Sequence, residues 1–538
     1  MGAMQDWPLR VMRMVDHAER EHGGREIVSL WANGLMTRTN WRGVAQDARR
    51  MGQALKAAGI KPGDRVGTLA MNHSAHLTAW YGVIGTGAVL HTLNPRLFDE
   101  QLDFIANHGG DRVLLYDYVF TDLVDRMKPR WPGIEQYVCF DAPEGDANSF
   151  AAWLEPHDGN FTWVEGDEND PCSLCYTSGT TGNPKGVLYS HRSSVLHAMA
   201  EVAPDVFDLS ARAVVMPIVP MFHANAWGIP WAAPLTGCKL VLSADYRPAE
   251  LCALFRDEGV THSAGVPTVW LGMIEYIERS GEKLGALTNV TIGGSAAPRA
   301  MIEWFRARGV NVGHAWGMTE TSPIGTCGAP TSDWDKLCSV EQVDYIARQG
   351  RAPFGVELRT VDEAGHVLPR DGVQSGALQV RGPWVIRRYF RETADAAAAD
   401  NWFDTGDVAL IHPDGTMQIT DRAKDVIKSG GEWISSIELE NAAIGLPGVA
   451  EAAAIGIAHP KWDERPLLCV VRSIDSVVTA TEIHAHLSSR VAKWWLPDAI
   501  EFVDELPHTA TGKLSKKTLR EQFAGYRFAG AAEMVGRN

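Results

Sequence analysis

The sequence predicts an α/β fold, with a large N-terminal domain built on βαβ-type sheets plus a β-rich subdomain, and a small α+β domain at the C-terminus. Strand-like and helix-like stretches alternate through most of the first 420 residues, which is typical of parallel βαβ units. A chain of 538 residues is also too long for a single hydrophobic core. After a charge run at residues 421–425 the pattern changes to a compact strand–helix module. We therefore expect domains at residues 1–420 and 425–538, with the boundary between them at 421–424.

Composition and charge argue against several classes of protein. With 45% hydrophobic and 22% charged residues, the chain has the composition of an ordinary soluble globular protein. Its formal net charge of −16 argues against a nucleic-acid-binding surface. Residues 213–238 carry no Asp, Glu, Lys or Arg, but four prolines break any membrane-spanning helix there. Because no signal peptide is visible, we expect a cytoplasmic protein without an integral membrane segment.

The first third of the chain alternates between the two kinds of element. Amphipathic helices are predicted at residues 41–58 and 75–88, and strands at 65–70 and 113–116. Strands separated by helices in this way indicate parallel pairing within a layered α/β domain.

A loop rich in glycine and hydroxyl groups follows, at residues 177–186. It carries three glycines, four hydroxyl side chains and Lys185 between predicted strands at 173–176 and 187–189. Glycines let backbone N–H groups turn inward, and hydroxyls and an ammonium group add donors and charge, so the loop suits an anion with several oxygens. It is not a Walker A motif, because no helix follows the lysine. The alternative is a plain Gly/Thr hairpin loop.

Two later strands end on polar or small residues. The strand at 290–292 runs into the small residues 293–298, and a second strand runs into residues 314–321, which add an aromatic ring, hydroxyls and a carboxylate. Ligands of α/β sheets bind at such strand ends. Further strands are predicted at residues 239–242, 262–266 and 376–382, with helices at 248–258 and 299–308.

The rest of the chain supplies the small domain. A turn at residues 402–407 is expected to expose Asp407. Beyond the charge run, the predicted elements are strands and helices, and a polar loop with one lysine, Lys513, precedes the last helix. The strands are predicted at residues 451–457, 467–472 and 499–503, and the helices at 481–494 and 516–523.

Seven motifs in order make the chain resemble one family. They are TSGTTGNPKG at 177–186, FHANAW at 222–227, GGSAAP at 293–298, WGMTE at 316–320, TGD at 405–407, DRAKDVIKSGGEWIS at 421–435 and TGK at 511–513. Their order and spacing resemble those of the adenylate-forming superfamily of acyl- and aryl-CoA synthetases, luciferases and adenylation domains. WFDTGD, SGGEWISSIELEN and HPKWDERPL look most like bacterial medium- and long-chain fatty acyl-CoA synthetases. Methylmercaptopropionate-CoA ligases share much of that pattern.

The resemblance implies a two-step ligation. A carboxylate attacks the α-phosphate of Mg-ATP to give acyl-AMP and pyrophosphate, and the thiol of coenzyme A then attacks the acyl-adenylate and releases AMP. Implied partners are thus a small-molecule carboxylic acid, ATP, Mg²⁺ and CoA. Because long-chain relatives are often homodimers, the resemblance also implies a homodimer.

The resemblance assigns the nucleotide and catalytic roles residue by residue. Lys513 would bridge the substrate carboxylate and the α-phosphate, Thr319 would contact that phosphate, and Glu320 would bind Mg²⁺. The β,γ-phosphate clamp would be Thr177, Ser178, Gly179, Thr180, Thr181, Gly182 and Lys185. The adenine slot would be formed by Gly294, Ser295, Ala296, Trp316, Gly317 and Met318, and the ribose site by Asp407 and Arg422. Many relatives carry tyrosine at the Trp316 position, so a ring-hydroxyl contact is missing here. Taken singly, these residues would be solvated charges or a core tryptophan.

The second half-reaction and the acid pocket are assigned in the same way. Lys424 would be the hinge position, in a hinge at residues 421–424 that makes the small domain mobile. Gly430, Gly431 and Trp433 would line the pantetheine passage. His223, near the carboxylate, and Asn225, Trp227, Val266, Gly293 and Pro323 would form the acyl pocket. In long-chain relatives the tryptophan matching Trp227 gates the fatty-acid tunnel. A buried structural Trp227 and a satisfied core His223 are the alternatives.

Several functions share these motifs. We expect a medium- or long-chain fatty acyl-CoA ligase, with an aryl-acid or 3-methylmercaptopropionate CoA ligase as the nearest rival. A carrier-loading adenylation enzyme and a luciferase-like oxygenase are further alternatives. A degenerate, non-catalytic binding protein is the alternative from another class, but it should have lost Glu320, Asp407 or Lys513.

Overall fold

Residues 3–177, 183–429, 432–509 and 513–528 are described by a computed structural model. The α/β architecture predicted from the sequence is confirmed. In the described residues, the fold has two sheets of mainly parallel strands, an antiparallel four-stranded sheet and a small C-terminal five-stranded sheet.

A six-stranded sheet contains the two strands that flank the glycine-rich loop at residues 177–186. Its first five strands are parallel and the last is antiparallel. In spatial order they are Gln136–Cys139, Asp111–Tyr116, Arg65–Leu69, Val89–Thr92, Pro171–Tyr176 and Gly186–Ser190. The predicted strands on both sides of the 177–186 loop thus form an antiparallel hairpin, as Tyr176 pairs with Gly186.

An eight-stranded sheet provides the two strand ends that carry small and polar residues. It is parallel at its centre, with an antiparallel strand at each edge. In spatial order the strands are Ile324–Cys327, Asn311–Gly317, Asn289–Ile292, His262–Gly265, Val214–Pro217, Lys239–Ser243, Glu26–Leu30 and Met36–Asn40. Parallel pairing of Asn289–Ile292 with Asn311–Gly317 places residues 293–298 beside residues 318–321.

Helices cover the faces of these sheets. The helix Trp41–Ala57 shows how they form: Asn40 caps its first turn by accepting a hydrogen bond from Gly43 N, and Trp41 and Met51 on its apolar face are fully buried. The N-terminal helices are Met12–His22, Trp41–Ala57, Ser74–Gly85, Asp99–Gly109, Thr121–Met127, Phe150–Leu154, His191–Glu201, Ile229–Thr236, Pro248–Asp257, Pro267–Ser280, Arg299–Arg306 and Ser339–Ala347. Short 3₁₀ turns lie at Tyr118–Phe120, Lys128–Arg130, Ala224–Gly228, Thr319–Thr321 and Trp334–Lys336.

A β-rich subdomain and the small domain complete the chain. The strands of the former are Glu357–Val361, Gly376–Arg381, Phe403–Ile411 and Met417–Arg422, all antiparallel. The small domain has the strands Ile427–Ser429, Glu432–Ile434, Val449–His459, Asp463–Arg472 and Ala499–Phe502, the helices Ser436–Ile444, Ala480–Ser488 and Lys516–Gln522, and a 3₁₀ turn at Lys493–Trp495. The chain therefore changes sheets between residues 422 and 427, and a division at 421–424 is our proposal for the hinge.

Two local predictions were wrong. Residues 403–407 form part of a strand, so Asp407 lies in a bulged sheet rather than on a turn. The helix predicted at 481–494 ends at Ser488, where the hydroxyls of Ser488 and Ser489 donate to carbonyls of the preceding turn. Among the described residues, we find no helix that combines the length and the apolar character needed to span a membrane.

Candidate active site

One cavity of about 660 Å³ collects most of the residues singled out from the sequence. It lies at the strand ends of the eight-stranded sheet, beside the hairpin of the 177–186 loop and the β-rich subdomain, and the small domain closes it with Lys513. Its lining includes Thr177, Lys185, His223, Trp227, Val266, Gly293, Gly294, Ser295, Ala296, Trp316, Gly317, Met318, Thr319, Glu320, Pro323, Asp407, Arg422, Lys424 and Lys513.

The hairpin that holds the 177–186 loop, called the phosphate hairpin below, is closed at its base by two hydrogen bonds between Thr177 and Lys185. Thr177 N donates to Lys185 O at 2.9 Å, and Lys185 N donates to the Thr177 hydroxyl at 3.2 Å. The Lys185 side chain is exposed and its ammonium group lies 4.8 Å from the ring centroid of Tyr389. The predicted clamp residues Ser178, Gly179, Thr180, Thr181 and Gly182 lie outside the described residues.

Thr319 and Glu320 occupy a 3₁₀ turn directly after the strand Asn311–Gly317. Tyr189 donates its hydroxyl to Thr319 O at 2.7 Å, and Tyr389 donates its hydroxyl to Glu320 Oε1 at 2.8 Å. Glu320 is only 6% exposed, and this burial raises the pKa of its carboxyl, while the Tyr389 hydrogen bond and the nearby lysines oppose the rise. The fold therefore buries the Glu320 carboxyl group instead of leaving it solvated on a loop.

Glu320 is the acidic group that fits Mg²⁺ here. The described residues contain no group of three or more metal-ligating side chains, so a bound Mg²⁺ would need further oxygens from elsewhere. Mg²⁺ characteristically takes one or two carboxylates together with phosphate oxygens and water. Two carboxylates of the described residues line the cavity, and Asp407 is bonded to the Trp316 indole, so Glu320 is the one that fits this habit.

Trp316 and Asp407 are joined across two sheets. The indole Nε1 of Trp316 donates to Asp407 Oδ2 at 2.9 Å, and Arg422 Nε lies 3.8 Å from the other carboxylate oxygen. The Asp407 side chain is 15% exposed, and burial raises the pKa of this carboxyl while Arg422 lowers it. Gly325 makes room for the indole, because a Cβ there would lie 2.2 Å from its ring.

Small residues shape the part of the cavity predicted to hold adenine. Gly317 must remain glycine, because a Cβ would lie 1.8 Å from Pro323 O. Gly294 has a φ of +81°, which favours glycine, and its Cα faces Val266 and the end of the Lys513 side chain. Ser295, Ala296 and Met318 line the same region.

Lys513 reaches into the cavity from the small domain. A Cβ placed on Gly294 would lie 3.4 Å from Lys513 Cε, so the aliphatic chain passes directly over the glycine loop. Desolvation and, to a smaller extent, the charge of Arg422 lower the pKa of Lys513 to about 8, against the opposing effect of Asp407 and Glu320. The ammonium group is thus the cation of the small domain that faces the acidic groups of the large one.

The predicted acyl pocket adjoins this region. His223, Trp227, Val266, Gly293 and Pro323 line the cavity, and a Cβ on Gly293 would lie 3.2 Å from the Trp227 ring. Burial lowers the pKa of His223 to about 3, with Lys513 and Arg96 adding to the effect, so the imidazole is neutral.

An unusual backbone carries Trp227. Residues 224–227 all have φ between +42° and +56°, a left-handed run that costs about 1–2 kcal/mol per residue. Backbone strain of this kind concentrates at functional sites. Asn225 lies in this run but not on the cavity wall, and its buried Oδ1 has no hydrogen-bond partner among the described residues.

The hinge region packs against the start of the small domain. Asp421, 1% exposed, accepts hydrogen bonds at 2.7 Å from both the backbone N and the hydroxyl of Ser436. Lys516 contacts Ser436 and forms a 2.7 Å ion pair with Glu440. The Asp421–Ser436 bonds link the β-rich subdomain to the small domain in the orientation that presents Lys513, and Lys516 holds Ser436 and Glu440 together within the small domain.

The residues predicted to line a pantetheine passage lie largely outside the described residues. Gly430 and Gly431 fall there, and Trp433 is described only as backbone of the strand Glu432–Ile434. Sequence reasoning also missed some cavity residues, among them Arg96, Tyr246, Thr268 and Gln349. They sit outside the seven motifs, and only the folded chain brings them to the cavity.

Comparison with known proteins agrees with this architecture. The protein has a cavity between a large α/β domain and a small α+β domain, and this arrangement defines the class of protein to which it belongs. The AMP-binding enzyme family matches residues 15–390, and its C-terminal domain matches residues 438–513, so the chain belongs to that family.

Characterised relatives align over almost the whole chain. A 3-methylmercaptopropionyl-CoA ligase from Ruegeria lacuscaerulensis is 48% identical over 97% of this chain and 99% of its own. A medium-chain-fatty-acid–CoA ligase from Ectopseudomonas oleovorans is 46% identical over 97% of each chain. Among solved structures, the anthranilate CoA ligase AuaEII in complex with anthranoyl-AMP superimposes with a TM-score of 0.86 at 25% identity, over 96% of this chain and 99% of that one.

Proposed function

We propose that the protein is an ATP-dependent carboxylic acid–CoA ligase that forms acyl-AMP and pyrophosphate, then acyl-CoA and AMP. One observation carries the proposal: Lys513 of the small domain enters the cavity that also holds Glu320, Asp407 and the base of the phosphate hairpin. The family membership and the two CoA-ligase relatives support the same reaction.

The first step requires two anions to meet. A carboxylate oxygen attacks the α-phosphorus of ATP, the bond to the bridging oxygen breaks, and pyrophosphate leaves with the electron pair. Lys513, lying between the acyl pocket and the nucleotide region, would neutralise the repulsion between carboxylate and α-phosphate. Lys185 and the loop amides would hold the leaving group, and Thr319 would orient the α-phosphate. Mg²⁺, held by Glu320 and phosphate oxygens, would supply charge neutralisation on the triphosphate.

The nucleoside would be fixed by residues of both sheets. We propose that Trp316 offers a ring face to adenine and that Asp407, oriented by the indole N–H, accepts from the ribose hydroxyls. In the second step the thiol sulfur of CoA attacks the acyl carbon, the thiol proton is lost, and AMP leaves. The small domain would have to turn about Lys424 for this step, which is why the hinge is placed there.

The acid most consistent with the pocket is a medium- or long-chain fatty acid. The cavity lining includes the apolar residues Ile218, Val219, Val266 and Ile324, and a fatty-acid ligase is a close relative. The 3-methylmercaptopropionyl-CoA ligase at 48% identity makes a short thioether acid the second candidate. A homodimer and a cytoplasmic location are also proposed, on the resemblance to long-chain enzymes, and light scattering and cell fractionation test them.

An AMP-release assay with CoA tests the substrate class. The panel is acetate, hexanoate, dodecanoate, benzoate, cinnamate and methylmercaptopropionate. We expect kcat/KM to be highest for hexanoate or dodecanoate. A higher value for methylmercaptopropionate would select the second candidate, and a preference for benzoate or cinnamate would overturn the fatty-acid assignment.

A further inference from the structure

We infer that Tyr389 is a positioning residue for the adenylation step. Its hydroxyl orients the Glu320 carboxylate and its ring holds the Lys185 ammonium, so that both groups face the leaving pyrophosphate and its Mg²⁺. The inference rests on the proposed function, since it takes Glu320 as the metal ligand and Lys185 as a phosphate ligand. None of the seven motifs contains Tyr389.

Tyr389 contacts two separate parts of the site. Its hydroxyl donates to Glu320 Oε1 at 2.8 Å, and Lys185 Nζ lies 4.8 Å from its ring centroid. Glu320 follows the strand Asn311–Gly317 of one sheet, whereas Lys185 precedes the strand Gly186–Ser190 of another. A single side chain therefore spans the gap between the candidate metal ligand and the phosphate hairpin.

The position of Tyr389 is set by backbone hydrogen bonds that do not involve its side chain. Ile386 N donates to Glu320 O at 2.8 Å, and Phe390 N donates to Gly186 O at 2.8 Å. The segment that carries Tyr389 is thus fastened to both loops. Removing the hydroxyl alone leaves these bonds in place, so an effect of that change reports on the side-chain contact.

Glu320 needs an orienting partner because it borders two spaces. It lines the main cavity and also a second cavity of about 410 Å³, whose wall includes Tyr389 and the segment around it. The hydrogen bond holds one carboxylate oxygen on the Tyr389 side and so directs the other toward the nucleotide side.

The test replaces the hydroxyl and keeps the ring. Tyr389→Phe removes the hydrogen bond to Glu320 but preserves the ring beneath Lys185. Tyr345→Phe is the matched control, because its hydroxyl donates to Ala329 O at 3.1 Å and the residue does not line the main cavity. Calorimetric titration of each variant with ATP, with and without Mg²⁺, is paired with pyrophosphate exchange at varied Mg²⁺.

Mutation of a residue that hydrogen-bonds a metal ligand typically lowers metal affinity or activity 10- to 100-fold. We expect Tyr389→Phe to raise the Mg²⁺ concentration for half-maximal exchange at least about tenfold. ATP binding without Mg²⁺ should be unchanged in this variant and in Tyr345→Phe. Tyr389→Leu, which also removes the ring, should weaken ATP binding even without Mg²⁺.

A background mutation separates this inference from the function on which it rests. Glu320→Ala should lose most of the Mg²⁺-dependent gain in ATP affinity, and adding Tyr389→Phe should cause no further loss. A Tyr389→Phe enzyme with wild-type Mg²⁺ dependence, alongside a defective Glu320→Ala enzyme, would overturn the inference alone. If Glu320→Ala itself kept wild-type Mg²⁺ dependence, the metal role of Glu320 would fall and the inference with it.

Discussion

Replacing Lys513 by methionine removes the ammonium group that the small domain places in the cavity, while keeping a side chain of similar length. The ammonium would lie between a carboxylate and an α-phosphate, and a pair of unit charges about 4 Å apart interacts by about 4 kcal/mol at an effective dielectric of 20. Loss of one such interaction from the transition state corresponds to about a thousandfold in rate. We therefore expect Lys513→Met to reduce acid-dependent pyrophosphate exchange by about three orders of magnitude.

The pH profile gives an independent check on the same residue. Because the pKa of Lys513 is lowered to about 8, its charged form predominates below that pH and is lost above it. Since kcat/KM reports groups of the free enzyme, wild-type kcat/KM for adenylation should fall about tenfold per pH unit above about pH 8. A flat profile between pH 7 and 9.5 would contradict the role of the ammonium group.

The second half-reaction supplies the control. Synthetic acyl-AMP with CoA bypasses adenylation, so Lys513→Met should form the thioester from it at close to the wild-type rate. Lys517→Met, at an exposed position four residues away, should leave both half-reactions unchanged. Near-normal pyrophosphate release by the Lys513 variant with a folded structure would refute the reasoning.

Three further changes have defined outcomes. Trp316→Phe keeps a ring but removes the hydrogen bond to the Asp407 carboxylate, worth about 1.5–3 kcal/mol, so KM for ATP should rise about 10- to 100-fold in pyrophosphate exchange; an unchanged KM would show that the indole N–H does not orient Asp407. Trp227→Ala removes the aromatic wall of the acyl pocket and should shift the AMP-release preference toward longer acids, whereas an unchanged chain-length profile would exclude it from the pocket. Ser436→Ala removes one of the two hydrogen bonds that Ser436 donates to Asp421 and should slow adenylation several-fold more than thioester formation from acyl-AMP, and equal effects on both half-reactions would argue against a link that favours one domain orientation.

Local pattern was enough for most of the large domain. The hairpin around residues 177–186 follows from two short apolar runs separated by glycines, and the helix Trp41–Ala57 follows from its apolar periodicity and Asn40 cap. The strand ends at residues 292 and 317 were recognisable because small and polar residues follow apolar runs. These features depend on neighbours in sequence, which is why the sequence predicts them.

Features that depend on distant partners were not predictable in this way. Asp407 looked exposed because Gly406 suggests a turn, but pairing with the neighbouring strands of the sheet draws this segment into a bulge. The helix predicted at 481–494 ends at Ser488, and Val491 and Trp495, which follow it, pack on the same core from outside the helix. The hydrogen bond from Tyr389 to Glu320 joins residues 69 positions apart, so no local sequence pattern predicts it.

The residues that share the cavity were predictable where a motif contains them. Glu320, Asp407 and Lys513 lie in three different motifs, and the fold brings them to one cavity. The orientation of Asn225 was not predictable, because the left-handed backbone of residues 224–227 removes the usual relation between position and facing. The other residues that line the proposed acyl pocket were likewise not predictable, because they come from strands and loops far apart in the chain.

The most direct test of the central claim is the product balance of a single reaction. Purified protein is incubated with ATP, Mg²⁺, CoA and dodecanoate, and all products are quantified by mass spectrometry. Adenylate chemistry predicts equimolar AMP, pyrophosphate and dodecanoyl-CoA, with acyl-AMP and pyrophosphate formed when CoA is omitted. ADP and inorganic phosphate as the nucleotide products, or AMP formation that does not depend on an added acid, would contradict it.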